Sequence, residues 1–347
     1  MADNASRTAV RDHRAYPYGS AAFTALVEES YREGGGRSAQ EFYAWFQRAY
    51  DAGTQRYPGL EHLPLTELLP ALRERRARCN SPAAATAHEL QAGAWLHQLI
   101  KSAIPRFSLE RGFEFRNAVS LGERQCLLQS VLIAGLLQAA GSDAGTVMVY
   151  RNHAGVSTNL GHVAALLLLP DGTHRVVDAS EKTPFPQQTG LFLCLEDGHA
   201  FLEPVYQSNL SAITGYRRTG TGVGVDLGRV RPLSRDYLHS QFYYYRGERA
   251  EGGILGAPPT PTGLKRSAAH LRKSLAWCPG NPLATYQLGR VLLRQGEPAP
   301  ALLLLEKAHG LYQRAGWVPP GPQNALLEAR RRRKVRHASV SAPLRAP

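Results

Sequence analysis

The sequence predicts a mixed α+β fold in which helices come first and an antiparallel sheet follows. Before Gly141 the apolar residues recur at helical spacing, which predicts helices over 20–33, 39–54, 66–78 and 84–104. After Gly141 short apolar runs predict strands over 146–150, 161–169, 174–180, 191–196 and 200–205. The turns between them are short, and short turns join antiparallel neighbours. Helices followed by a run of strands are typical of the α+β class.

Composition shifts divide the chain into five segments. We expect a helical extension over 1–84 (disordered over 1–18), a core over 85–245, a Gly/Pro-rich linker over 246–262, a helical segment over 263–334 and a basic disordered tail over 335–347. Within the core, the glycine-rich stretch 217–230 is expected to be a flexible surface loop, and 241–247 is expected to be a strand.

The net charge of +13 is concentrated at the C-terminus, where seven basic residues and no acidic ones follow Glu328. A solvated tail explains such a run better than a nucleic-acid groove does, so nucleic acid is not an expected partner. No apolar run is long enough to span a bilayer, and no secretory signal is visible, so a cytoplasmic protein is expected. The four cysteines form no C-x-x-C pair, and we expect neither a metal nor a cofactor.

Cys126 stands at the head of an almost wholly apolar run that ends at Gly141. The run predicts a helix buried on most sides. If the helix begins near Gln125, the thiol lies at its N-terminus, where backbone N–H groups and the helix dipole favour a thiolate. Ser120 and Glu123 form an alternative capping box that would place Cys126 in the second turn. We favour the later start.

His162 and Asp178 lie on neighbouring predicted strands. Whether they share a face depends on the turn at Pro170-Asp171-Gly172. A three-residue loop pairs Leu169 with Thr173 and puts both side chains on one face, roughly 7–8 Å apart as diagonal neighbours. A two-residue turn would put them on opposite faces. The proline and the glycine in this order favour the longer loop, with Gly172 at positive φ.

The order Cys126, His162, Asp178 on these elements resembles the transglutaminase-like superfamily, as does "RQC" opening a helix and "GH" opening a strand. The resemblance covers roughly residues 85–205. It implies a papain-like core, a buried helix that carries Cys126 against an antiparallel sheet, and a thiol nucleophile. His162 would be the general base and acid, and Asp178 the carboxylate that orients it. Gln125 matches the glutamine before the nucleophile in the animal cross-linking enzymes and is the oxyanion candidate. Ala164, Ala179 and Ser180 depart from the family's usual residues.

This resemblance implies a cysteine enzyme that acts on the amide bonds of a protein or peptide substrate through an acyl-enzyme. Hydrolysis by a peptidase or amidase is favoured over transfer to an amine, because no amine site is visible. The alternative is a non-catalytic protein-binding scaffold with a degenerate version of the fold. His174 is the second choice as base and otherwise a half-exposed hairpin residue. Cys194 and Trp95 are expected in the core.

The stretch 281–316 resembles a tetratricopeptide repeat, because Leu288-Gly289, Gly296, Ala301 and Ala308 fall at its characteristic positions. The segment 263–334 would hold about one and a half repeats and a terminal helix, a surface suited to a protein partner. An unrelated helical hairpin is the alternative, since three repeats are usually needed for independent stability.

Overall fold

The computed structural model describes residues 15–36, 38–208 and 210–340, without the side chains of residue 160 and residues 334–340. Over these residues the fold is mixed α+β, with eleven α-helices and an antiparallel β-barrel. The chain divides into two compact units, the first ending at Arg235 and the second beginning at Asp236. The predicted α+β class is confirmed, and the division lies before the boundary expected after residue 245.

Four helices open the first unit: α1 (Ala21–Gly34), α2 (Gln40–Ala52), α3 (Leu65–Ala77) and α4 (Pro82–Ala103). Ser20 and Ser81 cap α1 and α4, each accepting a hydrogen bond from the backbone N–H three residues on. Each helix lies within one or two residues of its predicted position. Residues 15–18, expected to be disordered, are ordered: Tyr16 is buried and its backbone N–H donates to Gln138.

A short segment leads from α4 to the cysteine. It contains strand β1 (Arg106–Phe107), helix α5 (Phe115–Leu121) and strand β2 (Glu123–Arg124), which pairs in parallel with β1. Helix α6 (Cys126–Ala139) follows directly, with Gln125 in extended backbone as its N-cap. Ser120 lies inside α5, so the alternative capping box is wrong and the later helix start is confirmed. Every residue from Cys126 to Leu137 is buried, as the apolar run predicts.

Seven antiparallel strands of the described chain form the barrel: β3 (Ala144–Arg151), β4 (Ser157–Leu168), β5 (His174–Val177), β6 (Gly190–Leu195), β7 (Gly198–Tyr206), β8 (Ile213–Arg218) and β9 (Gly224–Val225). Their order is β5-β4-β3-β6-β7-β8-β9, and the pair His174–Ile213 joins β5 to β8. Ala164, Leu166 and Val176 belong to the apolar core of this sheet. Helix α6 packs against β3 and β4, and the Ser130 hydroxyl donates to the Val163 carbonyl.

The stretch 217–230 is more ordered than expected. It holds the end of β8, all of β9 and a 3₁₀ turn at Leu227–Arg229. Val225 and Val230 are part of the core cluster, and this burial makes the segment a barrel element.

The second unit begins within helix α7 (Arg235–Glu248) and continues with α8 (Pro261–Trp277), α9 (Pro282–Arg294), α10 (Pro298–Ala315) and α11 (Pro320–Val340). The strand predicted over 241–247 is wrong, because these residues lie in α7. Helix α11 also extends to Val340, past the expected start of a disordered tail at 335, and residues 341–347 lie outside the described residues. Among the described helices, none has the length and apolarity to cross a membrane.

Candidate active site

The Cys126 thiol lies at the first residue of α6 and is 3% exposed. The first turn of a helix directs its backbone N–H groups toward the helix start, which is where this side chain lies. None of the four cysteines, all within the described residues, is in a disulfide. Cys126 therefore has the placement that its sequence position predicts.

The strand that carries His162 begins earlier than predicted: β4 starts at Ser157, so His162 lies midway along it, opposite Val149 of β3. Its Nε2 is 2.6 Å from Oδ2 of Asp178, and the side chain is 23% exposed. Burial works against the charged imidazole, but the charge of Asp178 and its hydrogen bond outweigh burial, and a hydrogen bond with Cys126 acts in the same direction. The pKa of His162 is therefore well above its ordinary value. The ring thus contacts both of its predicted partners.

Asp178 follows the last residue of β5 and is fully buried. Its Oδ1 accepts the Ser180 backbone N–H at 2.9 Å, and its Oδ2 accepts Gln188 Nε2 at 3.0 Å in addition to His162. Burial raises the pKa of this carboxyl, but the positive charge and hydrogen bond of His162 outweigh burial, so the pKa lies below its ordinary value. A buried carboxylate and a charged imidazole therefore stabilise each other.

These contacts fix the tautomer of the His162 ring in its neutral form. A carboxylate can only accept hydrogen bonds, so Nε2 must carry the proton that lies between the ring and Asp178. The ring nitrogen left for the thiol is Nδ1. A neutral imidazole held in this way can take a proton from Cys126 at Nδ1, and the charged ring that results is the form that Asp178 stabilises.

The turn after β4 sets this geometry. Leu166 pairs with Val176, the Leu169 N–H donates to the Thr173 carbonyl, and Gly172 has φ of 83°. The three-residue loop and the positive φ predicted from Pro170-Asp171-Gly172 are confirmed. Side chains alternate along a strand, so His162 lies on the same face of the sheet as Ala164, and Asp178 continues the face of Val176. Ala164 and Val176 belong to the same core cluster, and His162 therefore lies beside Asp178.

Sequence reasoning missed the polar residues around Asp178. Gln188 and Gln129 are fully buried, and Gln129 Nε2 donates to the Ser180 hydroxyl at 2.6 Å. Gln129 also accepts a hydrogen bond from the buried Arg124. No motif marks these residues. The available signal is that Gln129 and Ser130 interrupt an otherwise apolar helical run.

The side chain of Gln125, the oxyanion candidate, is turned toward the segment before α5. Its Nε2 donates to the Leu109 carbonyl at 3.4 Å, and its Oε1 is buried without a partner among the described residues. The amide donor that an oxyanion would need is therefore engaged elsewhere. Trp95 also has its indole N–H engaged, with the Gln55 carbonyl at 3.0 Å, and it lies in the core as expected.

His174 is buried, so the expectation of a half-exposed hairpin residue is wrong. Its Nδ1 lies 3.0 Å from the Tyr216 hydroxyl, because the pairing of β5 with β8 encloses it. Burial, helped by the nearby charge of Arg231, lowers the pKa of His174 to about 4. A neutral ring held by Tyr216 plays no part at Asp178, which leaves His162 as the base candidate.

A cavity of about 770 Å³ opens beside the site, between the β3–β4 connection and the loop that follows Asp178. On its wall, Nδ1 of His153 lies 3.3 Å from Oε1 of Glu181. The Tyr206 hydroxyl, also on the wall, donates to the carbonyl of Gln188. Its lining residues are His153, Glu181, Lys182, Thr183, Phe185, Pro186, Gln187, Thr189 and Tyr206. The cavity thus borders the loop that holds Asp178 in place, and Cys126 is not among its lining residues.

No group of His, Cys, Asp and Glu side chains in the described part of the chain could hold a metal ion. No protein-family model matches this chain, and none of the curated proteins matches it either. Its function is therefore inferred from the geometry of Cys126, His162 and Asp178.

Proposed function

We propose that the unit ending at Arg235 is a transglutaminase-like cysteine enzyme with a papain-like core, acting on amide bonds of proteins or peptides. The observation that carries this proposal is the His162 ring, which lies 2.6 Å from a buried carboxylate and also contacts the Cys126 thiol. A buried ion pair costs desolvation that packed apolar residues would avoid. Its presence at the start of a cysteine-bearing helix supports a catalytic role.

The proposed reaction has two halves. His162 takes the thiol proton at Nδ1, the sulfur of Cys126 attacks the amide carbonyl carbon, and the departing amine leaves with that proton as the C–N bond breaks. The acyl group remains on the sulfur as a thioester. A water molecule then attacks the thioester while His162 takes its proton, the C–S bond breaks, and the thiol regains the proton as the acid product leaves.

Hydrolysis is favoured over transfer to an amine, as the sequence predicts. Water is always available as the second substrate and needs no binding site of its own, whereas an amine donor needs one. The reaction requires neither a metal nor a cofactor, because the thiol and the imidazole supply the nucleophile and the proton transfers.

The test compares wild type with Cys126→Ser in two assays on casein: release of labelled peptides, and incorporation of a fluorescent primary amine. Cys194→Ser is the matched control, because this second buried cysteine lies in β6. We expect peptide release by wild type and by Cys194→Ser, reduced to background in Cys126→Ser. Equal activity of Cys126→Ser and wild type in both assays would reject the proposal.

We further propose that α8–α11 form a tetratricopeptide-like surface for a protein partner. Ala301 and Ala308 are fully buried, and a Cβ at Gly289 would come within 2.7 Å of Leu305. Small residues at this helix contact support the repeat interpretation.

The alternative function, a non-catalytic scaffold, predicts that Cys126→Ser leaves every property except thiol content unchanged.

A further inference from the structure

Two polar side chains connect the helix that carries Cys126 to the loop that carries Asp178. Gln129 lies one turn after Cys126 on α6 and is fully buried. Its Nε2 donates to the Ser180 hydroxyl at 2.6 Å, across 51 positions of sequence. Ser180 in turn donates its backbone N–H to Oδ1 of Asp178 at 2.9 Å. A path of hydrogen bonds therefore runs from α6 through Gln129 and Ser180 to Asp178.

Arg124 fixes the direction of this connection. Its Nε donates to Oε1 of Gln129 at 3.0 Å, and its guanidinium also donates to the Ile104 carbonyl. Because an arginine side chain has donors and no acceptor, Oε1 of Gln129 must face it, and the Gln129 amide must therefore present Nε2 to Ser180. Arg124 is buried, and no carboxylate pairs with it among the described residues.

Packing alone does not explain why a buried glutamine stands at position 129. The rest of α6 from Cys126 to Leu137 packs almost entirely through apolar side chains, and a methionine would fill the space of Gln129 without a desolvation cost. Ser130, the next residue, makes a hydrogen bond that joins α6 to the sheet: its hydroxyl donates to the Val163 carbonyl at 3.0 Å.

We propose that Gln129, oriented by Arg124, is a positioning residue that holds Ser180 and thereby the Asp178 carboxylate in register with Cys126. The proposal rests on the proposed function, because it assigns Gln129 a role in orienting His162 for proton transfer. Without the Gln129–Ser180 hydrogen bond, the loop after Asp178 keeps the bond between the Ser180 N–H and Asp178 but no longer has this bond to α6. The contact between His162 and Asp178 then loosens, and the imidazole is less well placed to take the thiol proton.

The test measures the rate at which iodoacetamide modifies Cys126, by peptide mass spectrometry from about pH 5 to 9, together with the melting temperature. The variants are Gln129→Met, Ser180→Ala and Ser180→Thr, with Ser130→Ala as the matched control. Ser180 is exposed, so its variants fold even if Gln129→Met does not, and threonine keeps the hydroxyl.

We expect Gln129→Met and Ser180→Ala to lower the rate at neutral pH by about tenfold, the lower end of the effect that loss of an outer hydrogen-bond partner has at metal-bound histidines. Their rate profiles should also shift to higher pH. Ser180→Thr should match wild type, and Ser130→Ala should lower the melting temperature with an unchanged rate profile. Wild-type rates and profiles in Gln129→Met and Ser180→Ala, or an equal loss in Ser130→Ala, would overturn the proposal. Failure of the proposed function looks different: wild-type Cys126 would then react no faster than Cys278.

Discussion

Asp178→Asn is the substitution that most sharply tests the electrostatics of the candidate site. The carboxylate accepts three hydrogen bonds, from Ser180, Gln188 and His162. An asparagine at this position keeps one acceptor oxygen and turns an NH₂ group toward at least one of these donors. Losing a hydrogen bond to a buried charged group costs about 1.5–3 kcal/mol, and we expect a loss of about 3 kcal/mol in the free energy of unfolding near pH 5.

The loss should depend on pH in a defined window. The pKa of His162 is raised above its unfolded value, so its contribution is complete below about pH 6.5 and is lost as the pH rises through the folded pKa. The pKa of Asp178 is lowered, so its contribution is complete above about pH 3.8 and is lost as the pH falls through the folded pKa. The difference in the free energy of unfolding between wild type and Asp178→Asn is therefore largest between about pH 3.8 and about pH 6.5, and it becomes smaller at higher pH.

Urea unfolding at about pH 5, 7 and 9 measures this difference. In a background where Trp277 and Trp317 are replaced by Phe, the fluorescence comes from Trp45 and Trp95 in the first unit. Glu203→Gln is the control, because Glu203 pairs with Arg151 at 2.8 Å and an arginine does not titrate in this range. A difference for Asp178→Asn that stays as flat as that for Glu203→Gln would refute a charged His162–Asp178 pair.

Two further substitutions test the fold around the site. Gly172→Val should lower the free energy of unfolding in urea by about 2 kcal/mol, because φ at this position is 83°, although a Cβ there meets no other atoms. Gly172→Asn should cost clearly less, because asparagine tolerates this backbone conformation. Equal costs would reject the explanation by backbone strain. Cys194→Ala should lower stability by about 1 kcal/mol, because the residue is buried in β6, and it should leave the modification rate of Cys126 unchanged; a slower rate would place Cys194 at the site.

The sequence was sufficient to predict the part of the site that depends on strand register. Pro170-Asp171-Gly172 carries a local turn signal, and alternation along β4 and β5 then determines which side chains meet. The start of α6 was also predictable, because the apolar run begins immediately after Gln125. Both inferences use information that lies within a few residues of the feature they predict.

The parts that were missed depend on distant contacts. The aromatic run at 241–247 has high strand propensity, but burial of Phe242 and the neighbouring tyrosines within the helical unit decides in favour of α7. The closure of the barrel by β5 and β8 buries His174, and no local pattern announces that pairing. Gln188 reaches Asp178, and Gln129 reaches Ser180, only after the chain has folded, so their part in the site could not be predicted from spacing.

If Cys126, His162 and Asp178 form a reactive thiol site, the rate of alkylation of each cysteine must reflect it. Burial alone predicts that iodoacetamide modifies Cys126 more slowly than Cys79 and Cys278, because Cys126 is buried and the other two are partly exposed. A thiol activated by His162 gives the reverse order at about pH 7, with Cys126 the fastest in wild type and its advantage lost in His162→Gln. A Cys126 that reacts more slowly than Cys278, or at the same rate with and without His162, would contradict a reactive thiol site.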